Sequence, residues 1–308
     1  MLACVACSSG FSFSGRSVSI ASPQPFSHDR SWYTYTSWSP DGHWLAAPVY
    51  NDADMVRFYT PNGQIIGNWQ SDCGVEIVFQ TISWLSDGRL SCFYGGTGST
   101  SLVSIATLNQ KGRESSHTEI SLPLSSDNFV FSFQWNPRYD WLAILAGKNS
   151  SQTWLYLFDL HGHQLLLPIS ISGNGRIAWS SDGKVLAIGE KQDILLLSFK
   201  QIQEGNLLVQ SKKKLPVQTP LEDTITWSPS GHWLVCRHKT YEGEDYLFLL
   251  ATDGSGKQVQ LTSSDQDGQL FNPSWSPDGK QLIVTRVGDW SLFSLDIASF
   301  LQQKKLAP

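Results

Sequence analysis

Few residues in this sequence have the types and spacing that catalysis requires. His161 and His163 flank a glycine, as some metal ligands do, but no third ligand stands near them, which favours a solvated turn. Asp265, Asp267 and Gly268 match a fragment of a calcium loop whose later glutamate is missing. The sequence has no G-x-S-x-G nucleophile elbow, no H-E-x-x-H zinc motif and no phosphate-binding P-loop. No motif therefore indicates a metal or a cofactor, and we expect the protein not to be an enzyme.

The charge and the composition argue against two further classes of function. The 308 residues include 22 Lys or Arg and 27 Asp or Glu, which gives a net charge of −5 at pH 7. Because nucleic-acid binders need a basic surface to displace phosphate counterions, DNA and RNA are poor candidate ligands. No apolar run is long enough to span a membrane. The unusual feature that remains is the number of tryptophans, which is 13.

Six of the tryptophans belong to a repeat with a period of about 47 residues. The six copies are Trp38-Ser-Pro-Asp-Gly42, Trp84-Leu-Ser-Asp-Gly88, Trp135-Asn-Pro-Arg-Tyr-Asp140, Trp179-Ser-Ser-Asp-Gly183, Trp227-Ser-Pro-Ser-Gly231 and Trp275-Ser-Pro-Asp-Gly279. Pro, Asp and Gly in this order favour a tight turn, and an apolar run typical of a buried strand follows each turn. The third copy has Arg-Tyr-Asp where the others have a turn ending in Gly.

Each copy contains four strand patterns separated by short turns, which is typical of a propeller blade. We therefore predict an all-β fold, a six-bladed β-propeller with four-stranded antiparallel blades. Each repeated Trp is predicted to pack against a small residue on the inner strand of the neighbouring blade. The last copy supplies only three strands, so residues 15–20 are predicted to add the fourth and to close the ring. The propeller then covers residues 15–298 and is followed by a polar tail, 299–308.

The repeat W-S-P-D-G-(K/H)-x-L-A, followed by φ-x-φ-φ-D-x-x-G, resembles the WD40-like repeats of TolB-type propellers, also called PD40 repeats. The resemblance covers almost the whole chain and implies the propeller fold and export to a bacterial cell envelope. Cys4 and Cys7, followed by Ser-Ser-Gly, are similar to the end of a lipoprotein signal, so residues 1–14 are predicted to be a signal remnant with a lipid anchor at one of these cysteines. The alternative is a cytoplasmic propeller with a disordered N-terminus.

The predicted function is a non-enzymatic, monomeric scaffold that binds a protein or peptide partner. In a propeller, the loops before each Trp and those between the second and third strands share one face, and here they combine aromatic residues with carboxylates, which suits protein recognition. The predicted partner-binding residues are Trp32, Tyr50, Asp52, Phe129, Tyr241, Asp245, Asp289 and Trp290. The alternative for several of these aromatic residues is that they only plug the ring.

A second group of polar residues precedes each repeated Trp by three or four positions and is predicted to line the central channel. These residues are Tyr35, Gln80, Ser132, Arg176, Asp223 and Asn272. With one acid and no histidine, this ring suits a hydrogen-bonded ligand or water better than a divalent metal. The alternative function is a propeller hydrolase, a lyase or a small-ligand binder that uses the channel.

The five cysteines show no spacing with partner ligands that would indicate a zinc site. Cys92 and Cys236 occupy equivalent strand positions in the second and fifth blades, too far apart to bond to each other. Both are predicted to be buried free thiols.

Overall fold

The structure, a computed structural model, describes residues 23–27, 29, 31–33, 35–49, 55–70, 82–94, 101–125, 127–149, 151–173, 175–190, 192–202, 205–218, 221–240, 243–263 and 267–307. These residues form six antiparallel sheets of four strands each, and each sheet is called a blade here. The predicted all-β architecture of six four-stranded blades is therefore confirmed.

The strands follow the chain from blade to blade, except that β1 (Gln24–Pro25) belongs to blade 6. Blade 1 contains β2 (Ser37–Trp38), β3 (Leu45–Pro48), β4 (Met55–Tyr59) and β5 (Ile65–Gln70). Blade 2 contains β6 (Ile82–Trp84), β7 (Leu90–Tyr94), β8 (Ser101–Leu108) and β9 (Glu114–Leu122). Blade 3 contains β10 (Phe129–Trp135), β11 (Leu142–Asn149), β12 (Gln152–Phe158) and β13 (Ile169–Ile171).

The second half of the chain repeats this order and ends in a helix. Blade 4 contains β14 (Ile177–Trp179), β15 (Val185–Gly189), β16 (Asp193–Gln201) and β17 (Leu207–Pro216). Blade 5 contains β18 (Leu221–Trp227), β19 (Trp233–Lys239), β20 (Asp245–Ala251) and β21 (Gln258–Gln260). Blade 6 contains β22 (Leu270–Trp275), β23 (Gln281–Arg286), β24 (Leu292–Asp296) and β1. Helix α1 (Ile297–Lys304) follows β24.

In the described part of the chain, the hydrophobic core consists of six clusters, each of which lies between two adjoining blades. The second strand of each blade is buried on both faces, which explains its continuous apolar sequence. One cluster joins Ile283 and Leu292 of blade 6 to Trp38 and Leu45 of blade 1. The first and last blades therefore pack against each other as consecutive blades do.

The repeated tryptophans pack between blades as the sequence predicts. The indole N–H of Trp84 donates to the carbonyl oxygen of Ser37 in blade 1 at 2.9 Å, and that of Trp227 donates to the carbonyl oxygen of Ala178 in blade 4 at 2.9 Å. In both pairs the acceptor residue directly precedes the Trp of the preceding blade. Small residues at this position allow the indole ring to approach the neighbouring backbone.

The turns after the tryptophans are held by their own side chains. In blade 1, the hydroxyl of Ser39 donates to Asp41 at 2.5 Å and accepts from the backbone N–H of Trp44 at 3.0 Å. Gly42 has a φ of 73°, a conformation that favours glycine. Asp41 also pairs with the basic residue two positions later, His43, at 3.1 Å. Equivalent pairs close three other turns: Asp87 with Arg89, Asp182 with Lys184 and Asp278 with Lys280.

Blade 6 takes its fourth strand from the N-terminal side of the chain, as predicted, but from a later segment. Gln24 pairs with Ser294 and Pro25 with Phe293, and the N–H of Phe26 donates to the carbonyl of Leu292 at 2.9 Å. The predicted segment, residues 15–20, lies outside the described residues. Proline is tolerated here because β1 is an edge strand, whose outward N–H needs no partner in the sheet.

The segment predicted as a polar tail, residues 299–308, contains most of helix α1, which begins two residues before it. The carboxylate of Asp296 caps the helix by accepting from the N–H of Ser299 at 3.0 Å. Ile297, Phe300 and Leu301 are buried in the core cluster between blades 5 and 6. The sequence pattern does not predict this helix, because only three of its apolar residues, at positions i, i+3 and i+4, face the core and most of the residues around them are polar.

The two cysteines of the strands differ in their chemistry. Cys236 is a buried free thiol, as predicted, and burial raises its pKa. Cys92, in β7, is disulfide-bonded, so the prediction of a free thiol at this position is wrong. The prediction compared Cys92 only with Cys236 and weighed no other partner for it.

Candidate functional site

The inner strands of the blades surround a cavity of about 460 Å³, which we call the funnel. It opens on the face that carries the turns after the tryptophans, where Pro40 and Pro277 are exposed. All six repeated tryptophans contribute to its wall. The other lining residues form three tiers, because the same repeat positions recur in every blade.

The rim of the funnel is formed by the residue two positions after each Trp. These residues are Pro40, Ser86, Pro137, Ser181, Pro229 and Pro277. Proline has no N–H and offers a rigid apolar surface, so four of the six rim positions favour van der Waals contact. Arg138 lies next to this rim and donates from Nε to the carbonyl oxygen of Ser181 at 3.3 Å.

The middle tier is formed by the residue directly before each Trp. These residues are Ser37, Ser83, Gln134, Ala178, Thr226 and Ser274. Two of them also link adjoining blades: Ser83 Oγ accepts the backbone N–H of Trp135 at 3.0 Å, and Gln134 Oε1 accepts that of Trp179 at 3.0 Å. The middle tier is therefore a ring of five polar side chains and one alanine, two of whose side chains are held by hydrogen bonds between blades.

The base of the funnel is the most polar part. The guanidinium of Arg176 donates to the hydroxyl of Tyr35, and its carbon lies 5.0 Å from the centre of the tyrosine ring. Arg176 is only 6% exposed. Asn272, at the same repeat position in blade 6, has a φ of 49° and lies near Thr224 of blade 5. The charged side chains among the described lining residues are Arg138 and Arg176, and both are cationic.

Of the residues predicted to line the channel, some line the funnel and others do not. Tyr35, Arg176 and Asn272 are in the funnel wall. Ser132 is fully buried and does not line the funnel, because its hydroxyl accepts the backbone N–H of Ile177 at 3.3 Å between blades 3 and 4. Gln80 lies outside the described residues, and Asp223 is described only as part of the backbone of β18.

Two predicted partner-binding residues lie together on the opposite face. Trp32 is 44% exposed, and the N–H of the next residue, Tyr33, donates to the carbonyl of Trp290 at 2.9 Å. The ring of Trp290 packs edge-on against Phe271 with 5.3 Å between ring centres. Trp290 has a φ of 56°, a left-handed conformation that is strained for a bulky residue. The turn therefore holds this indole in place at an energetic cost.

The other predicted partner-binding residues have different environments. Phe129 is exposed at the start of blade 3, and Asp289 pairs with Arg286 within the turn that precedes Trp290. Asp245 is only 2% exposed and accepts two hydrogen bonds from Arg237, at 2.9 and 2.6 Å. Its prediction as a partner contact is wrong, because the buried ion pair removes its carboxylate from the surface. Tyr50, Asp52 and Tyr241 lie outside the described residues.

Sequence reasoning missed the rim and the middle tier of the funnel, although the repeat contains the signal for both. The repeat predicts packing and turn roles for the positions one before and two after each Trp, and residues at both positions also line the funnel. Among the described residues, no three of the side chains that commonly bind metals lie close enough together to hold an ion. The described part of the chain also has no helix that is long and apolar enough to cross a membrane.

Comparison with known proteins identifies the fold. Neither a protein-family model nor a curated protein matches the sequence. A gluconolactonase, XC5397 from Xanthomonas campestris, superposes with a TM-score of 0.56 at 12% identity, over 88% of each chain. The Cps50 (Swd1) β-propeller domain of Myceliophteria thermophila superposes with a TM-score of 0.58 at 12% identity, over 90% of this chain and 99% of that one. The protein is a β-propeller.

TolB from Acinetobacter baumannii is a third similar propeller. It superposes with a TM-score of 0.52 at 14% identity, over 86% of this chain and 63% of the TolB chain. The resemblance to TolB-type and WD40-like propellers stated from the repeat is thus matched by structures of both kinds. At these identities the likeness concerns the fold.

The expectation that the protein is not an enzyme requires correction. One of the similar propellers is a gluconolactonase, which is an enzyme built on this architecture. The expectation came from missing motifs and from the small number of carboxylates predicted in the channel. Because propellers with very different sequences host catalysis as well as binding, neither argument excludes an enzyme.

Proposed function

We propose that this propeller binds a segment of a protein partner, and that the segment enters the funnel. The observation that carries the proposal is the funnel itself, a cavity of about 460 Å³ with four prolines among its six rim residues and a mostly polar ring of side chains below them. Binding pockets typically have volumes of about 300–1,000 Å³ and combine apolar walls with a few polar groups that fix orientation.

The lining matches the chemistry of a polypeptide. The hydroxyls of Ser37, Thr226 and Ser274 both donate and accept hydrogen bonds, as the alternating N–H and C=O groups of a peptide require. The rim prolines and the edges of the tryptophans offer contact to apolar side chains. The side chains of Ser83 and Gln134 are already held by hydrogen bonds between blades, so they lose little conformational entropy when a ligand binds.

The proposal is tested by photo-crosslinking from the rim. Ser86 is exposed at the rim of blade 2, and Ser116 is exposed on the outer strand β9 of the same blade. With benzoylphenylalanine at these positions in the native organism, we expect a specific adduct from position 86 and none from 116. With the purified adduct partner, Ser86→Trp should weaken binding at least about tenfold, while Ser116→Trp has no effect. Equal adducts from both positions, no adduct from position 86, or full affinity of Ser86→Trp would contradict the proposal.

A second proposed partner contact is the aromatic pair on the opposite face, Trp32 and Trp290. Tryptophans are frequent energetic anchors of protein interfaces. Trp32 is exposed, and Trp290 is half-buried and held in place by the strained turn. Phe129 and Asp289 extend this surface. Crosslinking from Trp32 in the same experiment tests it: an adduct from position 32 with the same partner is expected, and its absence would limit the interface to the funnel.

We also propose an envelope location. The disulfide of Cys92 supports it, because disulfides persist mainly in oxidising compartments. The similarity to TolB-type propellers is consistent with export. A lipid anchor at Cys4 or Cys7 stays a prediction for a region outside the described residues. Fractionation of the native organism, with alkylation before any reductant is added, tests both ideas: a cytoplasmic protein with a reduced Cys92 would contradict the location.

A second candidate function is a small-molecule reaction at the base of the funnel. The pair of Arg176 and Tyr35 favours it, since a buried guanidinium stabilises developing negative charge, and one similar fold is a gluconolactonase. Hydrolysis of glucono-1,5-lactone should be followed by pH-stat with and without divalent cations. Hydrolysis that is lost in Arg176→Gln and kept in Arg89→Gln, a turn residue outside the funnel, would support this function. A rate equal to that of the buffer would exclude lactonase activity.

A further inference from the structure

A second cavity of about 520 Å³ lies beside the funnel mouth, between the turns of blades 3 and 4. We call it the lateral groove. One wall contains two aromatic residues, Tyr139 and Trp141, and the polar lining includes Asp159, His163 and Gln164. Arg138 lines both the funnel and the lateral groove, so the two cavities open on the same face.

The aromatic wall is a stacked pair. The rings of Tyr139 and Trp141 lie 4.4 Å apart between centres and 18° from parallel. Trp141 is in turn packed against Trp179 of blade 4 with 6.4 Å between ring centres, which anchors the pair between two blades. Tyr139 is 42% exposed. One face of its ring covers Trp141, and the side chain contributes to the lining of the groove.

This aromatic residue stands where the repeat departs from its own pattern. Tyr139 occupies the position of the turn glycine in the other five copies, yet it is not among the residues with positive φ. The buried Asn136 holds the altered turn, since its Oδ1 accepts the N–H groups of Arg138 at 2.9 Å and Tyr139 at 3.0 Å. Its Nδ2 donates to the carbonyl of Gly183 in blade 4 at 2.8 Å. The exposed tyrosine is thus presented without backbone strain.

The polar side of the groove is also fixed in place. Asp159 Oδ1 accepts the backbone N–H groups of His161 at 2.8 Å and His163 at 2.9 Å, and Oδ2 lies 3.0 Å from Nδ1 of His163. Burial alone would raise the pKa of Asp159, but these hydrogen bonds outweigh it and lower the pKa. The imidazole is mostly exposed, and its Nε2 points away from Asp159. Gln164 donates to the carbonyl of Leu166 at 2.7 Å, which sets the orientation of its amide.

From these features we propose that the lateral groove binds a saccharide. The C–H face of a pyranose ring packs on an exposed aromatic face such as that of Tyr139. The imidazole of His163, the amide oxygen of Gln164 and the hydroxyl of Tyr139 line the same groove and offer donors and acceptors to the hydroxyls of a sugar, while the carboxylate of Asp159 holds the turn and the imidazole in place. The regularly spaced amides of a peptide would leave most of these groups unused, so a saccharide fits the groove better.

Calorimetric and NMR titration with a panel of trisaccharides tests the proposal. Maltotriose, cellotriose, chitotriose and trigalacturonate are suitable probes, and we expect at least one to bind with Kd near or below about 1 mM. Tyr139→Ala should weaken that binding at least about tenfold, while Tyr139→Phe retains the ring and stays within about twofold. Trp154→Ala, at an exposed tryptophan of β12 in the same blade, is the matched control and should have no effect.

Three results would overturn the proposal: no member of the panel binds at 20 mM, Trp154→Ala weakens binding as much as Tyr139→Ala, or a proline-rich peptide displaces the saccharide at lower concentration. The inference does not rest on the proposed partner function. Ser86→Trp should block the funnel and leave saccharide binding unchanged, while Tyr139→Ala should leave the crosslink from position 86 unchanged. The failure of one proposal is therefore distinguishable from the failure of the other.

Discussion

The carboxylate of Asp29 contacts the guanidinium of Arg57 where the N-terminal segment meets blade 1. The hydroxyls of Tyr33 and Tyr59, both fully buried, also contact this carboxylate and each other. Burial alone would raise the pKa of Asp29, but the hydrogen bond from Tyr33 and the charge of Arg57 outweigh it and lower the pKa. This polar cluster fastens the segment that connects β1, in blade 6, to β2, in blade 1.

Removal of the Asp29 charge should destabilise the fold. In Asp29→Asn, Arg57 loses its ion pair in a largely buried site, and we expect a loss of about 2 kcal/mol in the free energy of unfolding. Urea unfolding followed by tryptophan fluorescence measures it. The matched control is Asp87→Asn, which breaks the more exposed pair with Arg89 and should cost less than about 1 kcal/mol. Equal losses in the two variants would show that the buried cluster stabilises the fold no more than an exposed ion pair does.

The same cluster predicts a loss of stability at alkaline pH. Burial, together with the hydrogen bond to Asp29, raises the pKa of Tyr33 to about 12. Because this folded-state pKa is above the unfolded value of about 10, the contribution of Tyr33 is complete below pH 10 and is lost as the pH rises through 12. Urea unfolding between about pH 9 and 11.5 should show this decline, and Tyr33→Phe should reduce its slope. An identical slope in the variant would rule out Tyr33 as its origin.

One of the hydrogen bonds between blades 2 and 3 can be removed by deleting a single oxygen atom, Ser83 Oγ. Ser83→Ala deletes the acceptor of the buried backbone N–H of Trp135, and an unsatisfied buried N–H costs about 2 kcal/mol. Thermal and urea unfolding should both detect the loss. Ser115→Ala removes an exposed hydroxyl that donates to the carbonyl of Thr107, so its expected effect is within about 0.5 kcal/mol. Wild-type stability of Ser83→Ala would mean that the N–H finds another acceptor.

At position 290, a glycine variant should be more stable than an alanine variant, which is the reverse of the usual order. At a φ of 56°, alanine is strained as tryptophan is, whereas glycine is not. Trp290→Gly should therefore be more stable than Trp290→Ala by about 1 kcal/mol, although both lose the contact with Phe271. At Phe129, which begins strand β10, the alanine variant should be the more stable of the two. Measured free energies of unfolding for the four variants decide the matter, and a more stable Trp290→Ala would refute the left-handed geometry.

The two strand cysteines should react differently with alkylating reagents. Burial raises the pKa of Cys236 and blocks access to it, so iodoacetamide should modify it only after denaturation. Cys92 should stay unmodified in the denatured protein until a reductant is added, because it is disulfide-bonded. Peptide mass spectrometry distinguishes the two sites. Modification of Cys92 without reductant would contradict the disulfide and remove its support for an envelope location.

The fold could be predicted from the sequence because one feature recurs in it. Trp38, Trp84 and their counterparts begin each repeat, and the same side chain both ends the inner strand and packs on the preceding blade. Because this tryptophan occurs once in each blade, the number of its copies in the sequence gives the number of blades. The Asp-Gly turns add the conformational signal, since glycine at Gly42 and its equivalents adopts positive φ.

The site was harder to predict, because its residues are defined by their neighbours and not by their own type. From the sequence, Asp245 resembles a surface carboxylate. The pairing of β19 with β20 brings Arg237, eight residues earlier in the chain, into hydrogen-bonding distance of it. From the sequence, Tyr139 only replaces the turn glycine of the repeat. Its role depends on two contacts that the structure shows: its ring stacks on Trp141, and its backbone N–H donates to Asn136. In each case the decisive partner is known only when the geometry of the turn or the pairing of the strands is known.

The pairing of Gln24 with Ser294 has a consequence for how the protein is made. The two residues are about 270 positions apart, and at the usual speed of translation the later one follows the earlier by roughly 15 to 50 s. During that interval the early segment has no strand to join, and the flank of blade 1 that later meets Ile283 is uncovered. Blade 6 can therefore be completed only after β24 has been synthesised, and we expect the apolar flank of blade 1 to be exposed to aggregation or to chaperones until then.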